Sequence, residues 1–385
     1  MTPIAKLLEG LSVNCTLSRY IFPPAAIALL ALLAGCTTLP DEPEIFTEAD
    51  RAAWSGRIAP EDMVVAVSPV RRSVQVVHSS VALMGAGVDA VINDRYRREL
   101  RDALGPYDTA SVLETEVARA LEDAYPDDLD RVQPPFSTAG YANAREAREA
   151  RFSALAGQGY ETVLDLRMTR GLYGADAQMV VRIEGDLADL STNRTTWRRV
   201  LVSVDRPLLA ITEFRDPTRT YTPRIGWPQF TTEEDALDWW LAQDGERFKQ
   251  AFEERVEGAA AALLHELDLE RSALGAYVAG YSRMLRRDYE HAAALFEEAL
   301  ALDADSLDAA NGLIVAQIRL GQYQQAAERA EGLTERAPNY GPGWFNLAWV
   351  LGRELEQPAQ ARAAYERALE LDMPRSSRLE RALGM

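Results

Sequence analysis

The sequence predicts an α+β protein: a small α/β domain with an antiparallel meander packed by helices, followed by an all-α solenoid of three helix pairs. Three observations carry that prediction. Apolar residues alternate with period two in three segments between 162 and 204, and turn residues separate the segments. A long amphipathic stretch runs from Thr232 to Leu267. The last third of the chain repeats itself at a spacing of 34 and then 35 residues. The chain divides accordingly into a signal peptide (1–35), a tether (36–60), the α/β domain (61–270) and the helical repeats (271–385).

At the N-terminus, residues 1–19 hold scattered polar groups with Lys6 and Arg19. An apolar stretch from Ile21 to Leu33 follows and ends in Leu33-Ala34-Gly35-Cys36. This is the order of a secretory signal peptide. A membrane-spanning helix needs about 20 apolar residues, and this run is shorter and interrupted by Pro23-Pro24. The n-region is long, which leaves the true start codon open. Leu-Ala-Gly-Cys resembles the bacterial lipobox. The resemblance implies cleavage before Cys36, a diacylglyceryl group on its thiol and a further acyl chain, palmitate being typical. At about 0.8 kcal/mol per buried CH₂, two such chains anchor a protein stably. Thr37 stands where an aspartate would imply inner-membrane retention, so in a host with two membranes the resemblance implies the periplasmic face of the outer membrane. Residues 37–60 mix proline, acidic and small residues and read as the tether, with Trp54 placed to pack on the body.

The formal charge is −18, from 41 basic and 59 acidic residues. Loss of Lys6, Arg19 and Glu9 with the signal peptide leaves 39 against 58, or −19. Such a surface repels phosphate backbones and anionic lipid headgroups alike, so the sequence excludes nucleic acid as a partner and predicts membrane attachment through the lipid alone. Cys15 leaves with the signal peptide and Cys36 is blocked by lipid, so the mature chain has no disulfide and rests on core burial.

In the middle domain, Met63–Val67 is a short buried-strand run, Val74–Ile92 is apolar with Gly85 and Gly87, and helical spacing follows from Val88 to Leu104. Further helices are predicted over 113–124 and 143–156, the second stopped by Gly157 and Gly159; residues 125–142, with three prolines, form a loop. The meander comprises 162–172 (Leu164, Leu166, Met168), 177–187 (Met179, Val181, Ile183) and 196–204 (Val200, Val202, Val204). Tyr173-Gly174-Ala175-Asp176 and Leu190-Ser191-Thr192-Asn193-Arg194 supply the turns. The stretch GYETVLDLRM…AQMVVRIEGDLADLSTNRTTWRR, followed by a long helix, is similar to periplasmic lipoprotein domains of the curli-secretion lipoprotein, the cell-wall-synthase activator lipoproteins and the N-domain of the Tol-system protein B. The resemblance implies scaffolding, activation or pore formation.

In the repeats, RDYEHAAALFEEALALDAD carries Ala292, Phe296 and Ala299; GQYQQAAERAEGLTERAPN carries Ala326, Ala330 and Leu333; PAQARAAYERALELDMP carries Ala361, Tyr365 and Ala368. Each follows an apolar-periodic helix. Small residues let paired helices approach and aromatics fill the gaps. The pattern over 273–373 resembles the tetratricopeptide repeat, with Gly280, Ala348 and Trp344 at motif positions and a short capping helix within 375–384. The resemblance implies a concave groove that takes a peptide, lined by Tyr277, Tyr281, Asn311, Val315, Arg319, Phe345, Trp349 and Arg353. The basic pattern of chaperone-clamping repeats is absent. Two kinds of occupant stay open for this groove, a protein or peptide ligand and the chain itself, through its own N-terminal domain or the preceding helix.

No catalytic constellation is legible. His78, His265 and His291 lack metal-ligand spacing, so no metal and no cofactor are predicted. Gly85-Ala86-Gly87 lacks the rest of a phosphate loop, and Ser79-Ser80 lacks a base partner. Asp127, Asp128 and Asp130 lack the glycine and distal glutamate of a calcium loop. Trp239-Trp240 reads as one core ring and one rim ring. The sequence therefore predicts a non-enzymatic, lipid-anchored periplasmic adaptor for envelope assembly or secretion whose repeats dock a protein partner. The alternative is a regulator that activates an envelope enzyme, such as a cell-wall synthase, through the middle domain.

Overall fold

Leu164, Leu166 and Met168 recur at every second residue, and the chain over Thr162–Tyr173 is accordingly a strand, β4. It pairs antiparallel with β5 (Gln178–Asp189), which pairs antiparallel with β6 (Arg194–Val204). The computed structural model describes residues 52–58, 64–66, 93–125, 129–132, 143–174, 176–212, 214–218, 230 and 232–385. The signal peptide, Cys36, His78, Ser79-Ser80, the Gly85–Gly87 segment, Asp127 and Asp128 lie outside the described residues.

The register places Leu164 opposite Leu187 and Met168 opposite Ile183, with Ile183 opposite Leu201 and Leu187 opposite Trp197 in the next pair. One continuous apolar face results. The β5–β6 turn is set by Asp189, whose side chain accepts the backbone N–H of Ser191 (2.8 Å) and of Thr192 (3.0 Å), and by left-handed Asn193. The hydrogen bond from the Ser191 hydroxyl and these amides hold the Asp189 carboxyl below its ordinary range.

The sheet extends beyond the meander. Strand β1 (Ala52–Ile58) runs parallel to β4, from Ala52 opposite Thr162 to Ile58 opposite Met168. β2 (Val64–Ala66) pairs in parallel with the far end of β4, and β3 (Leu129–Arg131) pairs in parallel with β1, giving the order β3-β1-β4-β5-β6 with β2 beside β4. Two expectations change. The last residues of the stretch read as tether are a strand inside the sheet, with Trp54 fully buried, and the proline-rich loop contributes β3. Proline and acidic content describe residues 37–51 but not the backbone pairing that the apolar face of β4 offers to β1.

Helix α1 covers 93–104 and α2 covers Thr109–Ala124, one turn longer than periodicity suggests because Asp108 caps it by accepting the Ala110 N–H at 2.9 Å. Helix α3 (Ala144–Gly157) buries Phe152 and Leu155 against Val163, Ala188 and Leu190. The amphipathic stretch from 232 is two helices, α4 (Glu233–Leu241) and α5 (Glu246–Glu266). Gln243, Asp244 and Gly245 all take positive φ between them, which no helix accommodates. The apolar stripe survives the break: Leu237, Trp240, Phe248, Phe252, Val256 and Leu263 are buried against the face of β4 and β5. Trp240 donates its ring N–H to the Ala177 carbonyl at 2.8 Å, while Trp239 stays half-buried with the Arg247 guanidinium over its ring.

The C-terminal run comprises α6 (Ala273–Leu285), α7 (Tyr289–Leu302), α8 (Leu307–Arg319), α9 (Tyr323–Arg336), α10 (Gly341–Trp349, continued by a π-helical turn Val350–Glu354), α11 (Pro358–Glu370) and the capping helix α12 (Ser377–Leu383). Phe296 of α7 is clamped between the first two A helices: a Cβ added at Gly280 or at Gly312 would lie 2.8 Å from its ring. That contact fixes how closely α6 and α8 approach.

Array and sheet belong to one compact unit, Ile45–Met385. Edge strand β6 is covered by α6: the Val202 N–H donates to Ser282 Oγ at 2.8 Å. Glu266 of α5 joins Arg199 of β6 (2.6 Å) and Arg283 of α6 (3.0 Å).

Candidate partner groove and the segment that fills it

Two A helices of the array, α8 and α10, present polar side chains to a segment of the same chain. After β6 the chain reads Asp205-Arg206-Pro207-Leu208-Leu209-Ala210-Ile211-Thr212 and continues through Phe214 to Asp216. The described residues of this segment, the strap (205–212 and 214–216), lie along α8 and α10. Asn311 Nδ2 donates to the Leu208 carbonyl at 2.8 Å and Asn346 Nδ2 to the same oxygen at 3.1 Å. The Ala210 N–H donates to Asn346 Oδ1 at 2.7 Å. Arg319 donates to the carbonyls of Ala210 and Thr212, both at 2.8 Å. The two asparagines are coupled, Asn346 Nδ2 donating to Asn311 Oδ1 at 2.7 Å.

Apolar side chains complete the seat. Leu209 and Ala210 bury in the cluster of Ile314, Phe345, Trp349 and Val350. Leu208 and Phe214 bury in the cluster of Tyr281, Phe296, Leu313 and Val315. Phe214 meets Tyr289 edge-on at 6.3 Å and carries the Arg319 guanidinium 4.9 Å above its ring. Fully burying two leucines and a phenylalanine contributes roughly 1.5–3 kcal/mol each as an upper-bound transfer term.

Of the eight groove residues read from the sequence, Asn311 and Arg319 bond the strap, and Val315, Phe345, Tyr281 and Trp349 form its apolar bed. Tyr277 is half-buried beside a cavity of about 220 Å³ that Tyr281, Arg255, Asp303 and Asp308 also line. Arg353 is exposed, its guanidinium 5.5 Å from the Trp349 ring centre. Asn346 escaped the sequence reading. Its signal was available: it stands 35 residues after Asn311, one array period, so a polar residue recurs on an otherwise apolar helix face.

Burial governs the electrostatics. It pushes the Asp205 carboxyl above its ordinary range against the opposing pull of Arg206 and Arg255. Burial lowers Arg319, and it raises Tyr277 well above the usual tyrosine value, with Asp308 adding to the shift.

Among the described residues no group of three metal-ligating side chains converges. His265 Nε2 lies 3.7 Å from Glu298, and His291 Nδ1 lies 2.7 Å from Asp288 on the same helical turn. Asp130 accepts the Tyr160 hydroxyl at 2.9 Å. Among the described residues no helix is long and apolar enough to cross a membrane.

A comparison with curated proteins finds no match. Among solved structures the chain is similar to MamA from AMB-1, with 19% identity over 35% of this chain and 77% of that one and a TM-score of 0.28. It is similar to a PelC dodecamer from Paraburkholderia phytofirmans, with 13% identity over 41% and 74% and a TM-score of 0.20. A hypothetical protein from Chlamydia trachomatis matches at 15% identity over 56% and 99%, with a TM-score of 0.22. Residues 283–348 and 342–372 each match the tetratricopeptide repeat. The helical region at 283–372 therefore consists of tetratricopeptide repeats, an architecture suited to contact with other proteins.

Proposed function

We propose that this protein is a lipid-anchored adaptor on the periplasmic face of the outer membrane, which docks a protein partner in envelope assembly or secretion. The observation that carries the docking role is the repeat array itself, whose groove holds a non-helical polypeptide segment through Asn311, Arg319 and Asn346. The anchor rests on the lipobox Leu33-Ala34-Gly35-Cys36, and the acidic charge supports attachment by lipid rather than by a basic face. The lack of a legible catalytic constellation supports a binding role.

A regulatory role through the middle domain is the second reading. It is favoured by the groove's present occupancy, since Leu208, Leu209, Ala210 and Phe214 already fill the seats a partner would take. Because α6 covers the sheet edge, the two regions are tested within the full chain.

The test uses the full chain, tagged, in a bacterium with two membranes, with and without Cys36→Ala. Palmitate label and outer-membrane fractionation in the wild type, both lost in the variant, are the expected result. An unlabelled, cytosolic wild-type chain would sink the envelope reading. Cross-linked capture from the membrane fraction then locates the partner. Contacts on the array support the adaptor, and contacts confined to residues 61–270 support the regulator.

A further inference from the structure

We propose that the strap is a built-in stand-in for the partner. On this view the groove takes, in trans, a protein segment that follows the strap's turned path, with two adjacent bulky aliphatic residues, a small residue next, and an aromatic residue six positions after the first aliphatic one. The partner segment enters by displacing residues 206–216. This rests on the adaptor reading and names the chemistry of its partner.

The hydrogen bonds favour it. Asn311, Asn346 and Arg319 contact main-chain atoms of the strap, at the carbonyls of Leu208, Ala210 and Thr212 and the N–H of Ala210. The three carbonyls fall on alternate residues, and the Thr212 N–H turns back to the Leu209 carbonyl at 2.9 Å, so the strap passes through a turn at Ala210-Ile211 while offering main-chain atoms that any polypeptide supplies. Selectivity resides in the side-chain seats: one cluster for Leu208 and Phe214, another for Leu209, and no room beside Ala210 for a large group, since that residue is 2% exposed. Main-chain bonding combined with side-chain pockets is a recurring way to recognise a polypeptide segment.

The strap is also an imperfect occupant of its own site. Thr212 Oγ1 and Asp205 Oδ1 are buried without a hydrogen-bond partner. So is Nη2 of Arg182, the residue whose Nε pairs with Asp216 at the strap's far end, 3.1 Å away. Of these groups only the Thr212 hydroxyl leaves with the strap; unmatched, it raises the free energy of the seated strap, and a partner segment with an apolar residue there escapes that penalty. The strap holds its place because its covalent linkage to β6 presents it to the groove at a high effective concentration.

The test uses the full chain and a fluorescein-labelled synthetic peptide with the sequence of residues 205–216. Wild type binds this probe weakly. The strap variant Leu208→Ser/Leu209→Ser binds it at least tenfold more tightly, and adding Asn346→Ala removes the gain. Hydrogen exchange on the wild type at saturating peptide provides the second readout: the amides of 208–212 lose protection while those of α8 and α10 keep theirs. A strap variant that stays folded yet refuses the peptide overturns the proposal. So does a variant whose array melts outright, because the strap is then simply core. If wild type instead forms dimers that the strap variant cannot form, the occupant is a second copy's strap and the proposal fails. A chain that refuses the peptide but still captures a partner refutes only the strap exchange. Capture of nothing refutes the adaptor reading.

Discussion

The array and the sheet bury their cores by different routes. In the array, Phe296 finds Gly280 sixteen residues before it and Gly312 sixteen after it, so each helix packs on its sequence neighbours. In the sheet, Trp54 on β1 lies beside a strand more than a hundred residues away, and the pairing with β4 is parallel. Local burial leaves a period in the sequence; long-range burial leaves no trace beyond composition. The strap joins the two regimes, since its partners Asn311 and Asn346 lie 103 and 138 residues beyond Leu208.

Truncation of either core tests whether two routes still make one cooperative body. Phe296→Ala and Trp54→Ala each remove a fully buried ring, at an expected loss of about 3–5 kcal/mol. Far-ultraviolet circular dichroism and tryptophan fluorescence should fall together in both variants. Separate transitions for helices and sheet would show that the shared unit is two. Gly312→Ala is a sharper probe of local packing alone. Its methyl group meets the Phe296 ring and should destabilise by about 1–3 kcal/mol, as read by chemical denaturation.

At the junction, Asn346→Ala leaves the buried Ala210 N–H without its acceptor, an expected loss of about 1–3 kcal/mol. If stability is unchanged while strap amides stay protected, the asparagine ladder is not what seats the strap. Asp205→Asn should give the smallest effect, visible in its pH dependence. Burial raises the folded-state value of Asp205, so between the ordinary carboxylate value of about 4 and that raised value the folded chain holds a proton the unfolded chain has released. Stability therefore declines as pH rises through that window, and the asparagine variant lacks the decline. Parallel melting-temperature curves for the two proteins would contradict this assignment.

Much of the array was legible because Ala292, Phe296 and Ala299 recur in kind as Ala361, Tyr365 and Ala368, with Ala326 and Ala330 keeping the period between them, and the structure places helices at those periods. The meander was legible from alternation, although Val202 and Val204 turn toward the array while Leu201 and Trp197 face the helices of the α/β region. The helix break at 242–245 was written in Asp244-Gly245 but masked by the intact apolar stripe on either side. Strand β1 was not legible, because parallel pairing gives a strand no local signature and its neighbours are rich in proline and acid. Nor was the strap: Pro207-Leu208-Leu209-Ala210 has no period, and two different clusters bury its consecutive leucines. The groove residues were found as positions, but their occupant depended on contacts more than a hundred residues distant.

The recruitment of Ala52–Ile58 into the sheet sets the length of a leash. On the lipid-anchored reading, the chain between Cys36 and the first strand residue is 37–51, which spans at most about 50 Å at roughly 3.3–3.6 Å per residue. A leash running to residue 60 would have allowed about 80 Å on the same basis. On that reading the body would stay in a shallow layer beside the membrane that holds its lipid, and a partner would have to come to that layer.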